Sequence, residues 1–256
     1  MRSEKVSFAN GRGIALSGIL DLPDAGDPAH CAVFAHCFTC SKNFKLAVNM
    51  DRELTAAGIA VLRFDFTGLG ESGGDFSSTT FTTNAEDILS AAEYLARVRR
   101  PPRLLIGHSL GGTASLYAAP SVKSAAAVAV IATPSEPRHL VRYLGIDRAR
   151  LAAEGKADIT VAGRGFTIGR EFVEDIEGVN MAERVRGLGK ALLILHSPVD
   201  AVVGIENAAY LFEHARHPKS FVSLDGADHL LLNEPDARYA GALIAAWSRR
   251  YLDRRP

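Results

Sequence analysis

The chain has few of the residues that mark a disulfide-rich or a membrane-spanning protein. It holds three cysteines, Cys31, Cys37 and Cys40, and this single cluster is unlike the spaced framework of a secreted disulfide protein. No apolar run approaches the length that spans a bilayer, and no basic segment followed by an apolar one opens the sequence. We therefore expect a protein without a membrane span, located in the reducing cytoplasm.

The chain also lacks an excess of charge of either sign. Lysine plus arginine and aspartate plus glutamate number 29 each, so the formal net charge is zero. A balanced charge provides no general attraction to nucleic acid or to an anionic membrane, and we expect neither as a partner. With 47% hydrophobic residues, the 256-residue chain suffices for one large α/β domain or two small ones.

Apolar runs of strand length alternate with helical segments along most of the chain. An opening antiparallel hairpin is predicted over residues 6–20. The predicted strands that follow cover residues 31–36, 59–65, 104–106, 125–132, 191–196 and 220–224. Strands that alternate with helices predict a mostly parallel, eight-stranded sheet with helices on both faces, which is an α/β fold.

The alternation stops between residues 134 and 189. This part contains two predicted short helices, a small hairpin over residues 159–168 and one helix over residues 171–186. We interpret 134–189 as a small cap insertion that lies over the active edge of the sheet. Residues 1–133 and 190–256 then form the two parts of one core, so that the chain is a single domain.

One serine lies where a predicted strand turns directly into a helix. The apolar run 104–106 is followed by Gly107-His108-Ser109-Leu110-Gly111, and residues 112–119 favour a helix. In this context G-x-S-x-G forms a nucleophile elbow, because the glycines let strand and helix approach closely and expose the hydroxyl at a helix N-terminus. An ordinary serine in a glycine-rich turn is the alternative.

Two further polar residues follow later strands in the order that such a serine requires. Asp200 follows the predicted strand 191–196, and His229 follows the predicted strand 220–224. The carboxyl ends of parallel strands share one sheet edge, so both residues are expected beside Ser109. We predict Ser109 as nucleophile, His229 as base and Asp200 as the acid that orients it. A helix cap at Asp200 and a solvated surface histidine at position 229 are the alternatives.

A serine nucleophile also needs N–H groups that bind the oxyanion of the tetrahedral intermediate. The N–H of Leu110, directly after the serine, is one predicted donor, and the N–H of Phe38, in the loop 36–40, is the other. The Phe38 ring could line the acyl pocket or pack on the core. His108 is expected to pack or to hold a loop rather than to act as the base.

The pair Cys37 and Cys40 has two interpretations. Two residues between cysteines can form a redox pair beside a helix N-terminus. We expect instead two small, buried apolar side chains. The chain has no second cysteine or histidine cluster for a zinc site, and the glycine-rich segment 67–74 lacks a phosphate-binding motif, so no metal or cofactor is predicted.

Several of these segments resemble a known group of enzymes. The elbow 107–111 together with residues 63–72 and 225–229 is similar to the serine aminopeptidase and monoacylglycerol-lipase-like group of the α/β-hydrolase superfamily, along nearly the whole chain. Residues 34–42 and 214–224 resemble bacterial hydrolase domains that are often fused to an OsmC-like domain. The resemblance implies an α/β-hydrolase fold, the triad of Ser109, Asp200 and His229, and a functional link to an OsmC-like protein. His36-Cys37 departs from the usual His-Gly of the group.

Together these observations predict a cytoplasmic serine esterase that works through an acyl-enzyme intermediate and needs no cofactor. The small insertion favours a modest pocket and therefore ester substrates with a short acyl chain or a small aromatic group. A peptidase, a thioesterase or an acyltransferase would use the same triad. A redox or binding module built on Cys37 and Cys40 is the alternative of another class. A homodimer is compatible with the sequence.

Overall fold

The computed structural model of the protein describes residues 1–161 and 163–253, without the side chain of Arg142. The described strands are β1 (Arg2–Ala9), β2 (Ala15–Leu22), β3 (His30–Ala35), β4 (Ile59–Phe64), β5 (Leu104–His108), β6 (Ala127–Ile131), β7 (Lys156–Val161), β8 (Arg164–Gly169), β9 (Ala191–His196) and β10 (Lys219–Ser223). The described α-helices are α1 (Lys45–Ala56), α2 (Phe81–Val98), α3 (Leu110–Ala118), α4 (His139–Tyr143), α5 (Arg148–Glu154), α6 (Arg170–Gly178), α7 (Met181–Arg186), α8 (Glu206–His214) and α9 (Glu234–Leu252).

Eight of the described strands form one sheet in the order β1-β2-β4-β3-β5-β6-β9-β10. The hairpin β1–β2 and the pair β2–β4 are antiparallel, whereas every pair from β4 to β10 is parallel. The carboxyl ends of β3, β5, β6, β9 and β10 therefore meet at one edge. The predicted α/β fold with a mostly parallel, eight-stranded sheet is confirmed.

The central strands are buried on both faces because helices cover both sides of the sheet. Every residue of β4, β5, β6 and β9 is buried, as their unbroken apolar runs predict. One apolar core lies between the sheet and the pair α1–α9, and contains Met50 and Ile244. The other lies against α2, α3 and α8, and contains Phe81, Leu116 and Leu211. None of the helices in the described part of the chain is long and apolar enough to cross a bilayer.

The segment between β6 and β9 contains α4, α5, the separate hairpin β7–β8, α6 and α7. The prediction of one helix over residues 171–186 is wrong, because the structure has two helices there. Gly178 and the β-branched Val179 favour helix poorly, and Asn180 starts a new helix by accepting a hydrogen bond from Glu183 N at 3.2 Å. Asp175 of α6 accepts hydrogen bonds from Thr82 N and Oγ1, both at 2.7 Å, which attaches this segment to the start of α2.

Candidate active site

Ser109 occupies a strained turn between β5 and α3. Its backbone has φ of 53° and ψ of −127°, in a region that residues with a side chain seldom adopt. The turn is held by the Ser109 N–H, which donates to Ile131 O at 2.9 Å. The predicted strand–turn–helix context of the serine is therefore present in the structure.

Glycine is required on both sides of the serine because the chain segments pack in direct contact. A Cβ atom at Gly111 would lie 2.2 Å from His36 O and 2.4 Å from Ala35 O. A Cβ atom at Gly107 would lie 2.5 Å from Gly112 Cα. A side chain at either position would push α3 away from β3 or β5, and the position of Ser109 depends on that contact.

The structure brings the three predicted polar residues together in one hydrogen-bonded chain. Ser109 Oγ lies 3.1 Å from His229 Nε2, and His229 Nδ1 lies 2.8 Å from Asp200 Oδ2. With the hydroxyl donating to Nε2, Nδ1 carries the proton that it donates to the carboxylate. The three residues follow β5, β9 and β10, which end at the same sheet edge.

Neither alternative interpretation of Asp200 and His229 describes their surroundings. Asp200 does not cap α8, whose N-cap residue is Ile205 without a side-chain cap. His229 is only 8% exposed and is therefore not a solvated surface histidine. Asp200 Oδ1 instead accepts hydrogen bonds from Val202 N at 2.8 Å and Val203 N at 2.9 Å, which orients the other carboxylate oxygen toward His229.

The same contacts keep Asp200 ionised. Burial by itself raises the pKa of the Asp200 carboxyl, but the hydrogen bonds from His229 and from Val203 N outweigh burial and hold that pKa below its usual value. An ionised carboxylate beside Nδ1 stabilises the imidazolium that forms when Nε2 accepts a proton.

The predicted oxyanion donors lie on the two elements next to the serine. Leu110 is the first residue of α3, so its N–H belongs to the donors at a helix N-terminus that have no partner within the helix. Phe38 lies in the loop after β3, and its ring packs against Phe76 and Phe172 with centroid distances of 5.5 and 5.6 Å. Phe38 and Leu110 also line the cavity at Ser109. The Phe38 ring therefore both packs on other aromatic rings and lines the cavity.

The loop after β3 contains a disulfide bond between Cys37 and Cys40. The expectation of two separate apolar thiols is therefore wrong for this structure. The loop folds back on itself, with Cys40 N donating to Cys37 O at 3.2 Å, and this turn brings the two Cα atoms to 5.4 Å, within the range that a disulfide bridges. The third cysteine, Cys31, is a buried free thiol whose pKa burial raises to about 11.

A buried ion pair holds the chain just after this loop. Lys42 Nζ donates to Asp65 Oδ2 at 2.5 Å and to Glu71 Oε2 at 2.7 Å, and Lys42 N donates to Asp65 Oδ1 at 2.6 Å. The Lys42 side chain is 2% exposed. Burial lowers the pKa of the Lys42 ammonium, but the two carboxylates outweigh burial and raise this pKa overall. The hydrogen bonds of the buried Lys42 with Asp65 and Glu71 therefore attach the chain that follows the loop 37–40 to the core.

His108 connects the elbow to the loop that carries His229. Its Nε2–H donates to the backbone oxygen of His229 at 2.7 Å, and its ring lies beside those of Phe44 and His229. His108 therefore packs and holds a loop, as predicted. Burial, together with the nearby imidazole of His229, lowers the pKa of His108 to about 3.

His108 should make the protein less stable as the pH falls. The folded protein keeps this imidazole neutral to about pH 3, whereas the unfolded chain protonates it near pH 6.5, so unfolding takes up a proton between these values. His108→Gln keeps a donor for the His229 oxygen and removes the titration. We expect the slope of unfolding free energy against pH to fall by about 1.4 kcal/mol per pH unit over roughly pH 4 to 5.5. Urea unfolding of both proteins at several pH values measures this slope.

The two curves provide their own control at higher pH. Above about pH 7.5 the imidazole is neutral in both states, so wild type and His108→Gln should run parallel there. Equal slopes for the two proteins over the acidic range would contradict a buried, neutral His108.

A cavity of about 190 Å³ opens beside Ser109 and His229. Its lining contains the loop 37–40, Leu110 and residues of the segment between β6 and β9. The insertion contributes His139 and Tyr143 of α4 and Arg164 of β8. No local sequence pattern marks Tyr143 or Arg164 as site residues, because both reach the cavity only through the packing of this segment.

A mostly parallel sheet with a strained serine elbow defines the α/β-hydrolase class of proteins. The chain matches the Alpha/beta hydrolase family over residues 32–242. It therefore belongs to this family, and the predicted superfamily resemblance is confirmed.

Three known proteins illustrate the range of relatives. The esterase domain of a Rhodothermus marinus protein is 48% identical, with 98% of this chain and 100% of that chain covered and a TM-score of 0.82. Est1E from Butyrivibrio proteoclasticus, solved with ferulic acid bound, is 20% identical, with 97% and 100% covered and a TM-score of 0.85; at this identity the likeness shows the fold alone. The mitochondrial palmitoyl-protein thioesterase ABHD10 of Rattus norvegicus is 32% identical over 87 residues, which are 34% of this chain and only 28% of that protein.

Proposed function

We propose that the protein is a serine esterase that hydrolyses carboxylic esters through an acyl-enzyme intermediate. The observation that carries the proposal is the hydrogen-bonded chain Ser109–His229–Asp200 at a strained elbow beside a cavity. The esterase domain that is 48% identical supports the same class of reaction.

The geometry supports a two-step reaction. Ser109 Oγ attacks the ester carbonyl carbon while His229 Nε2 takes the hydroxyl proton, and Asp200 stabilises the resulting imidazolium. The N–H groups of Phe38 and Leu110 bind the oxyanion. The intermediate breaks the ester C–O bond, and the departing alcohol takes the proton from His229. A water molecule, deprotonated by His229, then attacks the acyl-enzyme, which releases the acid and restores the Ser109 hydroxyl.

The size of the cavity favours small substrates. At about 190 Å³ it is smaller than pockets that enclose drug-sized ligands, which measure roughly 300–1,000 Å³. We therefore propose esters with a short acyl chain or a small aromatic group. The thioesterase relative supports thioesters as the second candidate, because an acyl-enzyme forms from either ester.

A chain-length series of p-nitrophenyl esters tests the substrate class. We expect kcat/KM for the acetate and butyrate to exceed that for the palmitate by at least about 10-fold, because a long chain does not fit the cavity. Palmitoyl thioesters cleaved faster than any short ester would contradict the small-ester proposal and favour the second candidate.

A separate control distinguishes the hydrolase from a redox module. A fluorophosphonate probe should label the folded wild type, and the double variant Cys37→Ser/Cys40→Ser should still be labelled, because the chemistry resides in Ser109. Absence of labelling in the folded wild type would contradict the hydrolase proposal. A cytoplasmic location, a homodimer and a link to an OsmC-like protein stay predictions from the sequence.

A further inference from the structure

Arg164 is a charged residue of the insertion that lines the cavity at Ser109. It is the first residue of β8, opposite Val161 of β7 in the hairpin. Its guanidinium donates to the backbone oxygen of Thr39, in the disulfide-bonded loop, and lies 5.3 Å from the centroid of the Phe166 ring. Both of these contacts are neutral groups, so neither balances the positive charge.

Three other arginines of the insertion have a carboxylate partner, whereas Arg184, like Arg164, lies over an aromatic ring. Arg148 pairs with Glu177, Arg150 with Glu154 and Arg170 with Glu174. Within the described part of the chain, Arg164 forms no ion pair with a carboxylate, and no carboxylate is among the described residues that line the cavity. Arg164 is exposed to solvent, and among the described residues this cation at the cavity wall has no carboxylate beside it.

We propose that Arg164 binds a carboxylate that the ester substrate carries outside its scissile bond. The planar guanidinium matches a carboxylate with two parallel hydrogen bonds, and a lysine ammonium does not reproduce this geometry. The inference rests on the proposed esterase function, and makes the substrate of this site a half-ester or an ester of a carboxylated alcohol.

Two matched substrate pairs test the inference. Monoethyl adipate, which carries a carboxylate on the acyl part, is compared with the ethyl ester of adipic acid monoamide, which is uncharged. Meta-carboxyphenyl acetate, which carries the carboxylate on the alcohol part, is compared with the uncharged meta-carbamoylphenyl acetate. Within a pair the two esters have nearly the same shape, so the ratio of their kcat/KM values isolates the charge.

We expect wild type to prefer the acid over the amide by about 10- to 100-fold in at least one pair. Arg164→Gln should bring that ratio close to one, and Arg164→Lys should keep part of it. Arg170→Gln, which changes an ion-paired arginine of the insertion, is the matched control and should keep the wild-type ratio. A wild-type ratio near one in both pairs, or an unchanged ratio in Arg164→Gln, would overturn the inference.

The ratio also separates recognition from a purely structural role. If Arg164 only holds the Thr39 backbone, Arg164→Gln lowers kcat/KM for acid and amide equally and leaves the ratio unchanged, which overturns the inference. Binding of each acid and amide to Ser109→Ala, measured by calorimetry, makes the test independent of turnover. If the wild type hydrolyses no ester, the proposed function fails, and the preference of Ser109→Ala for acid or amide still decides the role of Arg164.

Discussion

Ser109→Ala should lower kcat/KM for a short-chain ester by roughly 10⁴- to 10⁶-fold. The variant removes the atom that attacks the carbonyl, and the neighbouring His229 and Asp200 cannot replace it because neither is placed as a nucleophile at the elbow. The residual rate comes from substrate binding and the oxyanion donors alone. The measurement is the steady-state hydrolysis of p-nitrophenyl acetate, with background hydrolysis subtracted.

The same variant should leave the fold intact. Alanine shares the backbone preferences of serine at a positive φ, so we expect the free energy of unfolding to change by less than about 0.5 kcal/mol. Ser121→Ala, at an exposed serine just beyond α3, is the matched control and should keep full activity. Wild-type activity in Ser109→Ala would show that another residue carries the reaction.

Asp65→Ala should destabilise the protein by about 3–5 kcal/mol. The aspartate accepts from Lys42 Nζ, Lys42 N and Glu71 N, so its loss leaves a buried ammonium with only one described carboxylate partner and removes acceptors from two backbone N–H groups. Urea unfolding at a fixed, neutral pH measures the change. Because Lys42 follows the loop 37–40, activity should fall together with stability.

A double-mutant cycle separates the ion pair from other effects of the substitution. Lys42→Met removes the buried charge, so Lys42→Met/Asp65→Ala should cost less than the sum of the two single changes. The pair Arg238–Glu53, at 2.6 Å, provides a more exposed comparison, and Glu53→Ala should cost at most about 1 kcal/mol. Additive costs for Lys42→Met and Asp65→Ala would contradict a coupled buried pair.

Much of the fold could be predicted because its strongest signals are local. The buried parallel strands are short apolar runs, and covering both faces of a strand requires apolar side chains on both. The elbow was predictable for the same kind of reason, since glycine is needed where strand and helix touch. Helix ends were less predictable, and the break between α6 and α7 depends on the cap at Asn180 rather than on periodicity.

The candidate site could be predicted only in part. The positions of Ser109, Asp200 and His229 after three parallel strands place them at one edge, but do not determine the hydrogen-bond distances of 2.8 and 3.1 Å. The disulfide of Cys37 and Cys40 was not predicted, because two cysteines at this spacing suit a reduced loop equally well.

The sequence by itself determined the parallel sheet, the serine elbow and the edge at which the polar residues meet, because each of these depends on neighbouring residues in the chain. Only the tertiary structure decided that Lys42 is buried against Asp65 and that Arg164 reaches the cavity without a carboxylate partner among the described residues. The reason is physical: a charge is buried or exposed according to what packs on it, and those groups are distant in the sequence.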